Sequence, residues 1–333
     1  MNVALRPLLT ILPLPPRLFI LTVEVETSGC ARMNAIMTIS VPRDFSFWRT
    51  VYSHGWCSLP PFSIDKKEKT LSRPFSLSKG FHVPCSISSF DSRMMVQMKS
   101  DRPVTSGERA QLRSQIIDCF RLREDLSEFY AEARFHKQYR WIPRLHVGRL
   151  LRAPTVFEDV VKMLCTTNCS WALTETMVGN LTKILGRRLG SSVFGFPTPE
   201  AIAGVSESFL RKQIRSGYRS PFLLELAEKV ARGTLNLESW RTSPMPTEEL
   251  YAQVLSVKGI GAYAAGNIMK LLGRYDYLGL DSWVRKQFAD LHKKGRKVSD
   301  KSIERYYEPY GKWKGLFFWL EMTRAWHTED VPF

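Results

Sequence analysis

Two hydrophobic rhythms divide the chain. Residues 41–104 carry short, alternating apolar runs at 75–77, 83–87 and 94–98, punctuated by Pro60-Pro61, Pro74, Gly80 and Pro84. Such alternation between turn residues predicts a small antiparallel β-rich domain. Trp48, Tyr52, Trp56, Phe62, Phe75 and Phe81 are expected in its core. From residue 105 apolar positions recur at three- and four-residue steps, the signature of amphipathic helices. Helices are predicted over 108–120, 126–135, 157–165, 171–185, 207–214, 221–232, 248–257, 262–272, 282–291 and 310–322, with stops at Gly186, Gly217 and Gly233. The fold expected is mainly α: an all-helical domain over 105–328, a β-rich domain over 41–104, and an N-terminal extension over 1–40. No internal repeat or long low-complexity stretch interrupts this plan.

Composition adds a charge argument. The 333 residues include 48 Lys and Arg against 32 Asp and Glu, a net charge of +16. The basic residues are spread, as at Arg211, Lys212, Arg215, Lys293, Lys294, Arg296 and Lys297. A surface that follows a polyanion is expected to look like this. Cysteines at 30, 57, 85, 119, 165 and 169 form no Cys-x-x-Cys pair and no disulfide framework. Packing roles in a reducing compartment are expected for them. The first 23 residues contain Arg6 and Arg17 and no acid, a composition compatible with organelle targeting. Prolines at 7, 13, 15 and 16 break any membrane span there, and a start at Met33 or Met37 would remove the segment.

One stretch carries candidate chemistry. Leu255-Ser256-Val257-Lys258-Gly259-Ile260-Gly261-Ala262-Tyr263-Ala264-Ala265 reads as a helix, a tight glycine hairpin and a second helix. Glycines at 259 and 261 allow a sharp turn and close approach by another molecule. The turn amides and the next helix start would suit a phosphate. Leu250, Val254, Val257 and Ile260 should pack against Ala264, Ala265, Ile268 and Leu271. Asp281, in Leu280-Asp281-Ser282-Trp283, stands where a helix begins; on its own it is an N-cap residue.

Taken together, this hairpin and Asp281 resemble the helix-hairpin-helix/Gly-Pro-Asp superfamily of DNA base-excision glycosylases. Further matches come from Arg149-Leu150-Leu151-Arg152, Thr155–Glu158 and Thr166-Thr167-Asn168, while Gly217-Tyr218-Arg219-Ser220 and Pro309-Tyr310-Gly311-Lys312-Trp313 resemble elements of its 8-oxoguanine branch. The matches run from about residue 115 to 325. The resemblance implies double-stranded DNA with a damaged base as partner, no membrane, a monomer, and a nuclear location, with mitochondrion or plastid open through the N-terminal extension. Asp281 would be catalytic. Its charge, favoured by the helix dipole and amides, would stabilise the sugar cation that forms as an N-glycosidic bond breaks. Lys258, Gly259 and Gly261 would hold the phosphate backbone. Asn168 would fill the space left by an extruded nucleotide, Tyr218 would wedge at the opposite strand, and Arg219 would hydrogen-bond the orphaned base; local roles as a cap, a packed ring and a surface arginine compete with these.

Tyr263 departs from the family's bifunctional branches, which carry there a lysine that forms a Schiff base. A phenol forms no imine, so water is expected as the nucleophile. Lys258 and Lys270 do not match the nucleophile position. At the pocket, Gly315 stands where the 8-oxoguanine branch places an amide, and Ser282-Trp283 where it has a nearby histidine. Those departures leave alkylated purines as a competing substrate. Gly315 and Trp319 are the candidate pocket residues on the terminal helix. No metal and no cofactor are expected: the four-cysteine iron–sulfur loop of some branches is absent, while a monovalent cation at the hairpin follows from the resemblance. The alternative function is a non-catalytic helix-hairpin-helix protein that senses lesions.

Overall fold

A computed structural model describes residues 33–328; the readings for residues 1–32 lie outside that range. The chain opens with β1 (Met33–Ser40), followed by β2 (Ser63–Asp65), β3 (Thr70–Ser76), β4 (His82–Phe90) and β5 (Arg93–Ser100). They form one antiparallel sheet in the order β1-β5-β4-β3-β2. Alternate residues point inward along β4, burying Val83, Cys85 and Ile87. Of the aromatic residues expected in this core, Trp56, Phe62 and Phe75 are buried, whereas Trp48, Tyr52 and Phe81 are partly so.

The strand at 33–40 corrects the boundary placed at 41. Its sequence alternates weakly and reads as an extension until β5 is paired beside it, Met37 opposite Val96. A chain begun at Met37 would lose half of this edge strand.

The helical part is built from α1 (Ser106–Cys119), α2 (Ser127–Phe135), α3 (Val156–Thr166), α4 (Trp171–Asn180), α5 (Ser220–Ala231), α6 (Thr247–Leu255), α7 (Ala262–Leu272), α8 (Ser282–Lys293), α9 (Asp300–Tyr307) and α10 (Lys314–Met322). Shorter turns of helix connect them. Local chemistry sets the ends: Thr105 and Glu108 form a reciprocal capping box before α1, and Gly273 closes α7 with φ +89°. The helix expected over 310–322 is broken. Gly311 adopts φ +51° and ψ −130°, so a 3-10 turn over Glu308–Trp313 precedes α10. The helix expected over 171–185 ends at Asn180 and continues as a wider π-helical turn, Leu181–Leu185. Helix α9 was not predicted, because it buries only Ile303 and Tyr307 on a strongly polar segment. No helix among the described residues is long and apolar enough to cross a membrane.

Sheet and helices share one apolar core. Ile39, Leu71 and Val96 of the sheet belong to the same buried cluster as Leu112, Val160, Leu271 and Phe317. Buried polar contacts tie the two layers. Arg73 of β3 donates twice to Glu158 of α3, at 3.2 and 2.9 Å, and Lys162 Nζ lies 2.7 Å from the same carboxylate. Burial alone would raise the Glu158 carboxyl, but Arg73 and Lys162 outweigh it and hold it below its ordinary value. Next to it, Trp56 Nε1 donates to Asp159 at 2.7 Å. Glu158→Ala would leave two buried cations without a counter-charge, and a loss of about 3–5 kcal/mol is expected. Urea unfolding monitored by circular dichroism reads this directly; an unchanged midpoint would mean the triad does not join the layers.

Candidate functional site

The hairpin between α6 and α7 is closed by Ile260 N donating to Val257 O at 3.1 Å. Leu250, Val254, Val257 and Ile260 are buried against the face of α7 that carries Ala264, Ala265 and Ile268. Its two glycines differ. Gly259 has φ +86°, and a Cβ there would stand 2.6 Å from the Phe222 ring. Gly261 has φ −98°, caps α7, and faces open space. Among the described residues nothing requires glycine at 261. Beside the hairpin, Lys258 is exposed and pairs with Glu225 at 2.7 Å.

Asp281 is the N-cap of α8, and its Oδ1 accepts from Val284 N at 2.8 Å. The half-buried carboxylate therefore has one oxygen fixed by the helix amides. It is delivered by a strap, residues 275–280, that crosses α7 at close range. Gly266 makes the crossing possible: a Cβ on it would lie 2.8 Å from Gly279 N and Cα. Asn267 Nδ2 donates to Tyr263 O at 2.9 Å and reaches Gly279 O at 3.4 Å. Lys270 is buried, and its ammonium donates to the carbonyls of Leu278, Tyr277 (3.4 Å) and Gly266 (3.5 Å). Tyr263 stands at the start of α7, its hydroxyl 3.4 Å from Thr166 Oγ1. Burial, with the charge of Asp281 adding to it, raises this phenol above its ordinary value.

These groups line a cavity of about 870 Å³ at the junction of sheet layer and helical core. Its walls are aromatic. Trp283 stacks on Trp326 with ring centres 5.4 Å apart, and Trp319 meets Trp326 edge-on at 5.9 Å. Trp319 Nε1 donates to Ser53 O at 2.9 Å, which holds the ring against the N-terminal layer. Across the mouth, Trp171 lies on Gly55, where a Cβ would sit 2.3 Å from the indole. His54 lines the same wall; burial lowers its imidazole to about 4, so the ring is neutral near pH 7.

A second group of predicted residues gathers beside the mouth. Asn168, exposed with φ +46°, donates to Tyr218 Oη at 3.3 Å. Tyr218 is 47% exposed and also bonds Thr167. Arg219 is not the surface arginine of the competing local reading. It is buried, donates to Thr167 O and Oγ1, and stacks its guanidinium 4.5 Å from the Tyr218 ring centre. In this conformation it backs Tyr218 rather than facing outward, because the turn at Gly217 (φ +57°) points it into the core. Gly315 is also corrected. It lies outside the cavity, under the strap, its N–H donating to Tyr275 O at 2.7 Å, and a Cβ would meet Tyr277 O at 2.4 Å. Trp319 does line the cavity. Trp56, Trp171, Trp326, His54 and Asn267 line the cavity without a local sequence signal, and so does Lys270, which the sequence offers only as a nucleophile at the wrong position; Trp283 is marked by its place next to Asp281.

No family model matches the chain. A "Probable N-glycosylase/DNA lyase" of Methanothermobacter thermautotrophicus is 23% identical over 244 residues, which are 66% of this chain and 76% of that protein. Other curated relatives align over 58% and 59% of their own length. Among solved structures, a 3-methyladenine DNA glycosylase from Archaeoglobus fulgidus superposes with TM-score 0.70 at 19% identity, covering 88% of this chain and 99% of that one. An 8-oxoguanine glycosylase/lyase from Clostridium acetobutylicum gives 0.67 at 17%, covering 90% and 98%. The chain thus has the fold of helix-hairpin-helix/Gly-Pro-Asp glycosylases.

The two hairpin glycines should separate on substitution. Gly259→Ala is expected to cost about 1–2 kcal/mol, from its left-handed backbone, with the contact to Phe222 adding to that. Gly261→Ala should leave the thermal midpoint as it is. Equal midpoints for both variants, measured by calorimetry, would contradict this hairpin geometry.

Proposed function

We propose that the protein is a DNA glycosylase of base excision repair. It extrudes a damaged purine from double-stranded DNA into the aromatic cavity and hydrolyses its N-glycosidic bond. The observation that carries this reading is the position of Asp281: a carboxylate fixed by helix amides at the rim of a cavity walled by tryptophans, beside the hairpin. A cavity of this size falls in the range that encloses a small planar ligand. Indole faces stack a base irrespective of its edge pattern. As the bond from C1′ to the base nitrogen breaks, its electron pair leaves with the base and positive charge develops on the sugar. The Asp281 carboxylate stabilises that charge, and water adds at C1′ to leave an abasic site.

DNA would lie across the hairpin. Gly261 leaves room for a phosphate at the N-terminus of α7, and Lys258 would exchange Glu225 for the backbone. The hairpin carbonyls are neutral oxygen donors of the kind that hold a monovalent cation. Asn168 would occupy the space of the extruded nucleotide, whose removal costs a few kcal/mol, while Tyr218, backed by Arg219, would wedge at the opposite strand.

The reaction is read as monofunctional. Tyr263 offers no amine. Lys270, which shares the cavity, lies seven residues further along α7, roughly 10 Å from the lyase position. Its amine is held among the carbonyls of Gly266, Tyr277 and Leu278, under the strap and away from the lyase position.

Single-turnover base release from duplexes bearing a panel of modified purines tests the reading. Wild type should yield abasic sites that break only after hot alkali and should form no borohydride-trapped adduct. Asp281→Asn should be slower by at least about 10²-fold, with duplex affinity retained. Gly261→Ala should weaken duplex binding several-fold while leaving the fold intact. Strand breaks without alkali would point to a lyase, and intact DNA binding without release from any duplex to a non-catalytic sensor.

A further inference from the structure

Lys270 is a buried cation that the reaction, as described, does not use. It sits on α7 among residues that all grip the strap from the same side: Gly266 by admitting Gly279 at close range, Asn267 by bonding Gly279 O, and Lys270 by gathering the Tyr277 and Leu278 carbonyls. On the other side Gly315 packs under Tyr275 and Tyr277. Asp281 follows the gripped segment by two residues. We propose that Lys270 is a positioning residue: its ammonium pins the strap to α7 and so sets the place of the Asp281 carboxylate at the rim of the cavity. This rests on the glycosylase reading for its effect on rate, though not for its effect on the strap.

An ammonium has three N–H donors, and three carbonyls surround it. Loss of its proton to solvent leaves two donors and a lone pair directed at a carbonyl oxygen, so the grip weakens. Burial brings the amine down to about 7, opposed by the charge of Asp281, so this loss falls near neutral pH. Several other titratable or charged groups lie nearby. Tyr263 on the same helix and Tyr277 on the strap are phenols raised above their ordinary value. His54 across the cavity is already neutral, and Arg121, which donates to the Lys270 carbonyl, stays charged. The Cys169 thiol also lines the cavity. On the strap side stand two carboxylates, Asp281 and Asp276, the latter raised above its ordinary value by burial.

Two substitutions separate charge from shape: Lys270→Arg keeps a permanent cation, and Lys270→Met keeps length without charge. Hydrogen exchange of the peptide spanning 275–283, corrected for intrinsic rates, is read from pH 6 to 9 without DNA. Wild type should lose protection as pH rises, Lys270→Arg should keep it, and Lys270→Met should show little at any pH. Single-turnover release at saturating enzyme should fall in wild type by roughly tenfold per unit above about pH 7, stay flat in Lys270→Arg, and be low and flat in Lys270→Met, with duplex affinity unchanged in all three. Wild-type protection and rate in a folded Lys270→Met, or an alkaline fall that persists in Lys270→Arg, would overturn the proposal. Should wild type release no base, the glycosylase reading fails, while the exchange profile still decides the role of Lys270.

Discussion

The buried charge cluster between Arg73, Glu158 and Lys162, with Asp159 and Trp56 beside it, is the constraint on which the site depends. The cavity is neither in the sheet layer nor in the helical core but along their seam. Its walls come from both: Gly55 and Trp56 from the first, Tyr263, Trp283 and Trp319 from the second. A seam closed by apolar contacts alone could slide. One closed by a bidentate arginine and an indole N–H has a single register, because any shift strands a buried charge. The glycines at the mouth follow from this: Trp171 can lie on Gly55 only when the layers meet at a fixed distance.

The site joins two requirements that oppose each other. On the proposed function, a planar base is held by apolar aromatic faces, which exclude water, and a sugar cation is stabilised by a carboxylate, which ordinarily needs water. Placing Asp281 at a helix N-terminus resolves the conflict, since the Val284 amide replaces solvent on one oxygen and leaves the other for the reaction. The strap beneath it is held by Gly266, Asn267 and Lys270, none of which touches the cavity's aromatic wall as a stacking group. On the same reading, positional accuracy at the reacting carboxylate depends on residues one layer away.

Much of this was legible in the sequence where the signal is local. The hairpin, its two helices and the cap at Asp281 are encoded by residues within a few positions of one another, and α7 begins and ends as expected at 262 and 272. The edge strand at 33–40 was not legible, because its partner lies some sixty residues on and its own alternation is weak. Tyr218 and Asn168 could be named from pattern, but their shared hydrogen bond joins segments fifty residues apart. The burial of Arg219 was not legible for a related reason: arginine is ordinarily a surface residue, and only the folded turn shows the Thr167 carbonyl awaiting it. Lys270 stood in the sequence only as an amine at the wrong position for a nucleophile, and its hold on the strap joins carbonyls that only the fold brings to it.

The most direct test of the central claim, that an extruded base enters this cavity next to Asp281, is a crystal structure of the Asp281→Asn protein with a duplex carrying the lesion it releases. The account predicts a nucleotide rotated out of the helix, its base between the tryptophan faces and its C1′ beside residue 281, with Asn168 in the vacated space and Tyr218 wedged at the opposite strand. A duplex bound with every base stacked, or a base extruded to some other surface, would contradict it.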